Sequence, residues 1–346
     1  MWHREDVVSS VNGRTARSTG VRFEDPALEA SVMAHLASVE DRLRECVESA
    51  DPFVSEAAKH LMEAGGKRFR PMLVAVCAHF GDPAAPELVD ASTVLELTHV
   101  ATLYHDDVMD EALVRRGTPS ANARWGNSLA ILVGDFLFSR AAELAAGLGP
   151  DAVRIQAQTF AQLVHGQIAE TVGPRDADPV EHHLKVLDGK TASLMATCGT
   201  FGGMFSGASP ATTAALTTYC ETLGLAFQLS DDLLDISSES TDSGKTPGTD
   251  LREGVPTLPV LYALASDDSD PAAVRLRQIL ADGPVTDDAL HAEALELLRD
   301  SVALKRARET VRGYAEQARA QLQGLPRNAA REALESLCDV IADRIS

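Results

Sequence analysis

Residues 95–110 read LELTHVATLYHDDVMD, and residues 222–235 read TLGLAFQLSDDLLD. Each is an apolar, helix-like run that closes on Asp-Asp-x-x-Asp: Asp106, Asp107 and Asp110 in the first, Asp231, Asp232 and Asp235 in the second. On an α-helix the first and last Asp of such a set lie one turn apart, ~6 Å, on one face. The middle Asp is rotated away by about 100°. Stacked carboxylates repel each other and gain nothing for a fold, so a cation is their natural completion. Carboxylates with no Cys or His among them suit a hard ion such as Mg²⁺, which keeps waters and takes one or two carboxylates plus substrate phosphates. Solvated acidic helix ends would account for one copy. Two copies, each embedded in apolar helix, speak for a chemical role.

Outward from these runs the pattern is helical from Phe23 onward, over residues 27–47, 54–62, 71–80, 87–110, 129–146, 152–171, 194–205, 211–235, 258–264, 272–280, 302–322 and 329–345. Ser209-Pro210 reads as an N-cap followed by proline at the first helical position. Gly147, Gly149 and Pro150 separate two helices. No stretch alternates with period two for long enough to suggest a sheet. Aromatics stand at 5% of the chain, and a composition rich in alanine and leucine favours helix. The expectation is an all-α protein, one helical bundle over residues 23–346. Residues 1–22 lack the apolar core of a signal peptide and read as a flexible tail. The polar stretch 237–255, SSESTDSGKTPGTDLREGV, follows the second acidic motif directly and reads as a candidate lid.

A net charge of −20 argues against nucleic acid or an anionic membrane as partner. No apolar run approaches the ~18–20 residues of a membrane span. Cys46, Cys77, Cys198, Cys220 and Cys338 are odd in number and scattered, which fits reduced thiols in a cytoplasmic protein. A chain this acidic must concentrate its basic residues wherever it holds a phosphate. Lys67, Arg68 and Arg70 precede the helix opening near Pro71, where free backbone N–H groups favour anions. Arg115 and Arg116 follow Asp110, His99 stands two turns before Asp106, and Gln228 one turn before Asp231. Lys190-Thr191 and Lys245 complete the set.

The segments GGKRFRP, LTHVATLYHDDVMDEALVRRG, GKTASL, FQLSDDLLDI and GTDLREGVPTLP resemble the five signature regions of the trans-isoprenyl (polyprenyl) diphosphate synthases, in order and at close to the family spacings, over about residues 25–346. The resemblance implies an all-helical, single-domain bundle of the isoprenoid synthase type around a deep central cavity, with two acidic motifs at its mouth, and a homodimer. It implies a cluster of about three Mg²⁺ ions on the allylic diphosphate, held by Asp106, Asp110 and Asp231 with Asp107, Asp232 and Asp235 supporting them. Arg115, Lys190 and Lys245 would clamp that diphosphate. Lys67, Arg70, His99 and Arg116 would hold isopentenyl diphosphate, while Thr191 and Gln228 would lie near the reacting carbons. One departure stands out: Gly254-Val255-Pro256-Thr257 has valine where many members carry a lysine of the allylic clamp.

The chemistry so implied is Mg-assisted ionisation of an allylic diphosphate, capture of the cation-like carbon by the double bond of isopentenyl diphosphate, and loss of a proton. No protein base is evident, and His105 reads as a packing residue. Product length should follow from the first-motif helix, whose lining face runs through Thr102, Ala101, Thr98, Leu95 and Ala91, with Tyr104 pointing elsewhere. A turn rises ~5.4 Å, about one isoprene unit, and the small residues Ala101, Thr102 and Thr98 leave the path open, which favours about C30–C50, of the kind used in quinone side chains. A short-chain geranylgeranyl or farnesyl diphosphate synthase is the alternative. A class I terpene cyclase is disfavoured by its mixed second metal motif and its lack of a second diphosphate site. Glu96-x-x-His99 without a paired second copy disfavours a di-iron carboxylate bundle.

Overall fold

The computed structural model describes residues 21, 23–237, 247–281 and 283–345. The tail read at residues 1–22 lies outside the described residues apart from Val21, and so do residues 238–246 of the candidate lid, Lys245 among them. In chain order the helices are α1 (Pro26–Cys46), α2 (Pro52–Glu63), α3 (Phe69–Ala78), α4 (Glu87–Met109), α5 (Ala121–Trp125), α6 (Asn127–Leu148), α7 (Pro150–Val172) and α8 (Pro179–Leu187). A π-helical turn (Asp188–Ala192) leads into α9 (Ser193–Phe205). There follow α10 (Pro210–Ser237), α11 (Thr249–Glu253), α12 (Leu258–Leu264), α13 (Pro271–Ala281), α14 (Asp288–Arg299), α15 (Val302–Gln321) and α16 (Ala329–Arg344). Among the described residues the only strands are β1 (Val114–Arg115) and β2 (Thr118–Pro119), an antiparallel pair. The protein is all-α, as its composition and periodicity indicate.

Helix starts are chemically marked. Asp25 accepts from the N–H groups of Ala27 and Leu28, and Asp51 from that of Phe53, each ahead of a proline in the first turn. Ser209 accepts from Thr212 N at 3.1 Å, the cap expected there. Among the described residues no helix is long and apolar enough to cross a membrane.

The chain clusters into two compact units. One comprises Met1–Ala161, Leu194–Thr218 and Gly324–Leu337; the other comprises Gln162–Ser193, Tyr219–Gln323 and Cys338–Ser346. In the first unit α4 is the central element, packed by α1, α3 and α6. It buries Leu88, Ala91, Val94, Leu95, Leu97, Val100, Ala101 and Tyr104, so it is apolar around most of its circumference, as a helix inside a bundle must be. Truncating Leu97, which has no exposed surface, to alanine would cost about 2–5 kcal/mol. Tyr104 ties α4 to α2, donating to Ala57 O at 2.6 Å and accepting from Leu61 N at 3.2 Å. It therefore points toward α2. On α6, Gly134 admits the His105 ring: a Cβ there would lie 2.3 Å from Nε2.

In the second unit α12 packs on α15 and α13 on α14. Asp178 caps α8 by accepting from Val180 N and Glu181 N, and α8 runs straight into the π turn. Gly166 of α7 meets that turn backbone to backbone, since a Cβ on it would lie 2.6 Å from Lys190 N. Lys190 and Thr191 are thereby carried on a rigid, non-α turn, a form often found at functional sites.

Candidate active site

In the first unit α4 delivers its motif at its C-terminal end, with Asp110 as the C-cap. Asp106 is half-buried, Asp110 exposed and Asp107 fully buried. The β1–β2 turn folds Arg115 back onto the helix end. Its Nε donates to Asp107 Oδ1 at 2.6 Å, and its Nη2 lies 4.0 Å from Asp110 Oδ2. Burial holds the Asp107 carboxyl above its ordinary pKa, although the Arg115 hydrogen bond pulls the other way. Oδ2 of Asp107 is buried with no hydrogen-bond partner.

Asp107 is the buried anchor of Arg115, because its rotation on the helix turns it inward. Arg115 in turn reaches the site already engaged with the acidic motif.

The second feature of this unit is a cationic cluster. Arg68 takes a left-handed backbone conformation, φ 49°, as the N-cap of α3, which drives its guanidinium inward. There it pairs with Glu40, with Glu96 at 3.1 Å and with Met62 O at 3.0 Å. Arg68 is therefore scaffold, whereas its neighbours Lys67 and Arg70 differ: Lys67 is exposed, and Arg70 keeps a buried Nε with no hydrogen-bond partner. Arg116, also left-handed at φ 54°, donates to Leu61 O at 2.7 Å. Burial lowers the pKa of Arg70. Burial, then Arg68, Arg70 and Arg115, lower that of Arg116 against the opposing pull of Glu96. Burial also pushes His99 well below its ordinary value, with Arg70, Arg116, Arg68 and Arg115 acting in the same direction. Burial thus disfavours the charged forms of His99, Arg70 and Arg116, a penalty that a bound anion would offset.

His105 plays no part in this cluster. Its Nε2 is 3.1 Å from Ile131 O and its ring 5.6 Å from that of Phe138, the packing role expected of it. Along α4, Ala101 and Thr98 are buried at 0% and 2% exposure, while Thr102 and His99 keep accessible surface. Of the three expected chain-length residues, Thr102 alone meets open space; the other two are packed. The Thr98 and Thr102 hydroxyls donate to Val94 O and His99 O, each at 2.8 Å, which leaves their methyl groups for apolar neighbours.

In the second unit the motif residues lie on α10. Asp231 Oδ1 is 2.6 Å from Arg344 Nη2. Asp232 is buried, 3.3 Å from Gln228 Nε2 and 3.6 Å from His183 Nε2. Thr191 Oγ1 donates to Gln228 Oε1 at 3.4 Å, so Thr191, Gln228 and Asp232 form one polar chain. Asp235 is used locally: its carboxylate accepts from Thr249 N at 3.3 Å and Asp250 N at 3.0 Å, opening α11. Lys190 Nζ pairs with Glu170 Oε2 at 2.6 Å, and Lys245 lies outside the described residues. Neither His183 nor Arg344 carries a local sequence signal; both are recruited from other helices.

Among the described residues no group of three or more His, Cys, Asp and Glu forms a preformed metal cage. The carboxylate-only donors, the exposure of Asp110 and the orphaned Asp107 Oδ2 nevertheless fit a hard cation that arrives with phosphate ligands of its own.

The polyprenyl synthetase family model matches residues 51–298, which contain all five signature segments. Nonaprenyl diphosphate synthase of Mycobacterium tuberculosis is 50% identical over 327 residues, covering 94% of this chain and 97% of that protein. Geranylgeranyl pyrophosphate synthase of Corynebacterium glutamicum, solved with calcium and isoprenyl diphosphate, superposes with a TM-score of 0.86 at 45% identity, covering 94% of this chain and 99% of that one. Decaprenyl diphosphate synthase of Rhodobacter capsulatus does so with a TM-score of 0.83 at 34% identity, covering 92% and 99%. With motifs, fold and full-length similarity in agreement, the chain belongs to the polyprenyl synthetase family and is a prenyltransferase.

Proposed function

We propose that the chain condenses an allylic diphosphate with successive isopentenyl diphosphate units into an all-trans polyprenyl diphosphate of about C30–C50, a length that the ~5.4 Å rise per turn of α4 would measure out. The observation that carries this reading is the His99, Arg70 and Arg116 cluster, a ready anion site in the same unit as an acidic motif. A chain that only ionised one diphosphate would have no use for a second anion site. The 50% identity to a nonaprenyl diphosphate synthase supports the longer products.

Bound Mg²⁺, about three ions, would neutralise the charge that develops on the departing diphosphate. The chain's own residues do the rest. Asp106, Asp110 and Asp231 would hold those ions, Asp107 fixes Arg115, and Asp232 orients Gln228. Arg115, Lys190 and Lys245 stabilise the leaving group, and Lys190 exchanges Glu170 for phosphate. The Thr191–Gln228 dipole faces the carbon that becomes cationic. Lys67, Arg70, His99 and Arg116 hold isopentenyl diphosphate with its double bond toward that carbon. The allylic C–O bond breaks, a C–C bond forms, and the released proton leaves with the diphosphate.

A second copy of the chain is the expected partner, supported by Ile131 and Leu132 standing 43% and 62% exposed on α6. A cytoplasmic location is supported by the five free cysteines. The test is incorporation of labelled isopentenyl diphosphate by Asp106→Ala and Asp231→Ala. Each should lose about 10³-fold or more in kcat with helix content unchanged by circular dichroism. Full activity of either variant in EDTA would end the proposal.

A further inference from the structure

Arg344 is the last residue of α16, and the Ile345 that follows it is 1% exposed, so this end of the helix is docked. Its guanidinium is held at three points on α10. Nη2 is 2.6 Å from Asp231 Oδ1, Nη1 is 3.5 Å from Ser230 Oγ, and Cζ sits 5.2 Å from the centroid of the Phe227 ring. The geometry points to Arg344 as a positioning residue that presets the Asp231 carboxylate for its cation. This rests on the reading of Asp231 as a metal ligand.

A carboxylate has about four lone-pair sites, so an N–H contact from Arg344 can orient the group without closing it. Partners of this kind around metal-binding side chains are typically worth about 10–100-fold in metal affinity. The opposing effect, repulsion between the guanidinium and the incoming cation, predicts the reverse sign. A measurement therefore separates them.

The experiment titrates MgCl₂ at fixed inorganic diphosphate and follows the thermal transition of the full chain, with product formation read in parallel. Arg344→Met keeps the aliphatic contact with Phe227 and removes the donor. It should raise the half-saturating Mg²⁺ concentration about tenfold in both readouts, while Arg344→Lys, which keeps one cationic donor, falls between. Arg344→Gln carries the same expectation should the methionine variant not fold. Asp231→Asn is the control. If it raises the Mg²⁺ requirement and Arg344→Met leaves it unchanged or lowers it, the positioning role is wrong while the site reading stands. If Asp231→Asn leaves the requirement untouched, the site reading fails and this inference fails with it.

Discussion

Arg115 Nε lies 2.6 Å from Oδ1 of the fully buried Asp107, so the middle carboxylate of the first motif holds the cation that flanks the outer two. Removing Arg115 leaves a buried, uncompensated carboxylate. Arg115→Ala should cost about 1–3 kcal/mol near neutral pH, measured by urea denaturation. The sign with pH follows from Asp107, whose folded pKa is raised above its unfolded value. Such a group favours the fold at low pH and loses that contribution as pH rises through its folded pKa. Loss of Arg115 raises the folded value further, so the penalty should be largest at neutral pH and shrink as the solution is acidified. A penalty that grows on acidification would contradict this.

His99 works in the opposite sense. Its folded pKa is depressed, so below about pH 6.5 the unfolded chain takes up a proton that the native chain refuses. Its contribution to stability is therefore present above that pH and lost as pH falls. His99→Gln should flatten the acid side of the stability profile and raise the KM for isopentenyl diphosphate. An unchanged slope would mean that the imidazole is protonated in the fold.

Arg116 and Lys190 belong to different diphosphates in this account. Arg116→Ala should raise KM chiefly for isopentenyl diphosphate, by about tenfold for one charge-assisted contact. Lys190→Ala should act chiefly on the allylic substrate and on kcat. Equal shifts in the same KM for both variants would overturn the division.

Much of this was legible locally. The long helices match their apolar runs to within a few residues, because period and caps are local properties. Other elements escaped: α5, α8 and α11 are brief, α14 is rich in charge, and the two-residue strands of the Arg115 turn are too short to alternate. The site splits in the same way. Asp106 and Asp110 could be placed from spacing and the His99 cluster from the family resemblance, whereas the inward swing of Arg68 depends on one left-handed residue. The backbone N–H groups of residues 249 and 250 that meet the Asp235 carboxylate leave no mark in the local pattern. Arg344 meets Asp231 across 113 residues, and no periodicity reports that.

Thr102 and Ala101 give separable predictions about product length. Thr102 keeps accessible surface, so Thr102→Phe should shorten the product with little loss of stability. Ala101 has none, and Ala101→Phe should add an overpacking cost of about 1–3 kcal/mol, seen as a lower thermal midpoint. An unchanged product length in Thr102→Phe would remove α4 as the ruler.

The most direct measurement is chromatography of the dephosphorylated products made by the wild-type chain from labelled isopentenyl diphosphate and a series of allylic primers, with and without Mg²⁺. The account predicts Mg-dependent all-trans products of about C30–C50. Products that stop at about C15–C20, or incorporation that persists in EDTA, would contradict it.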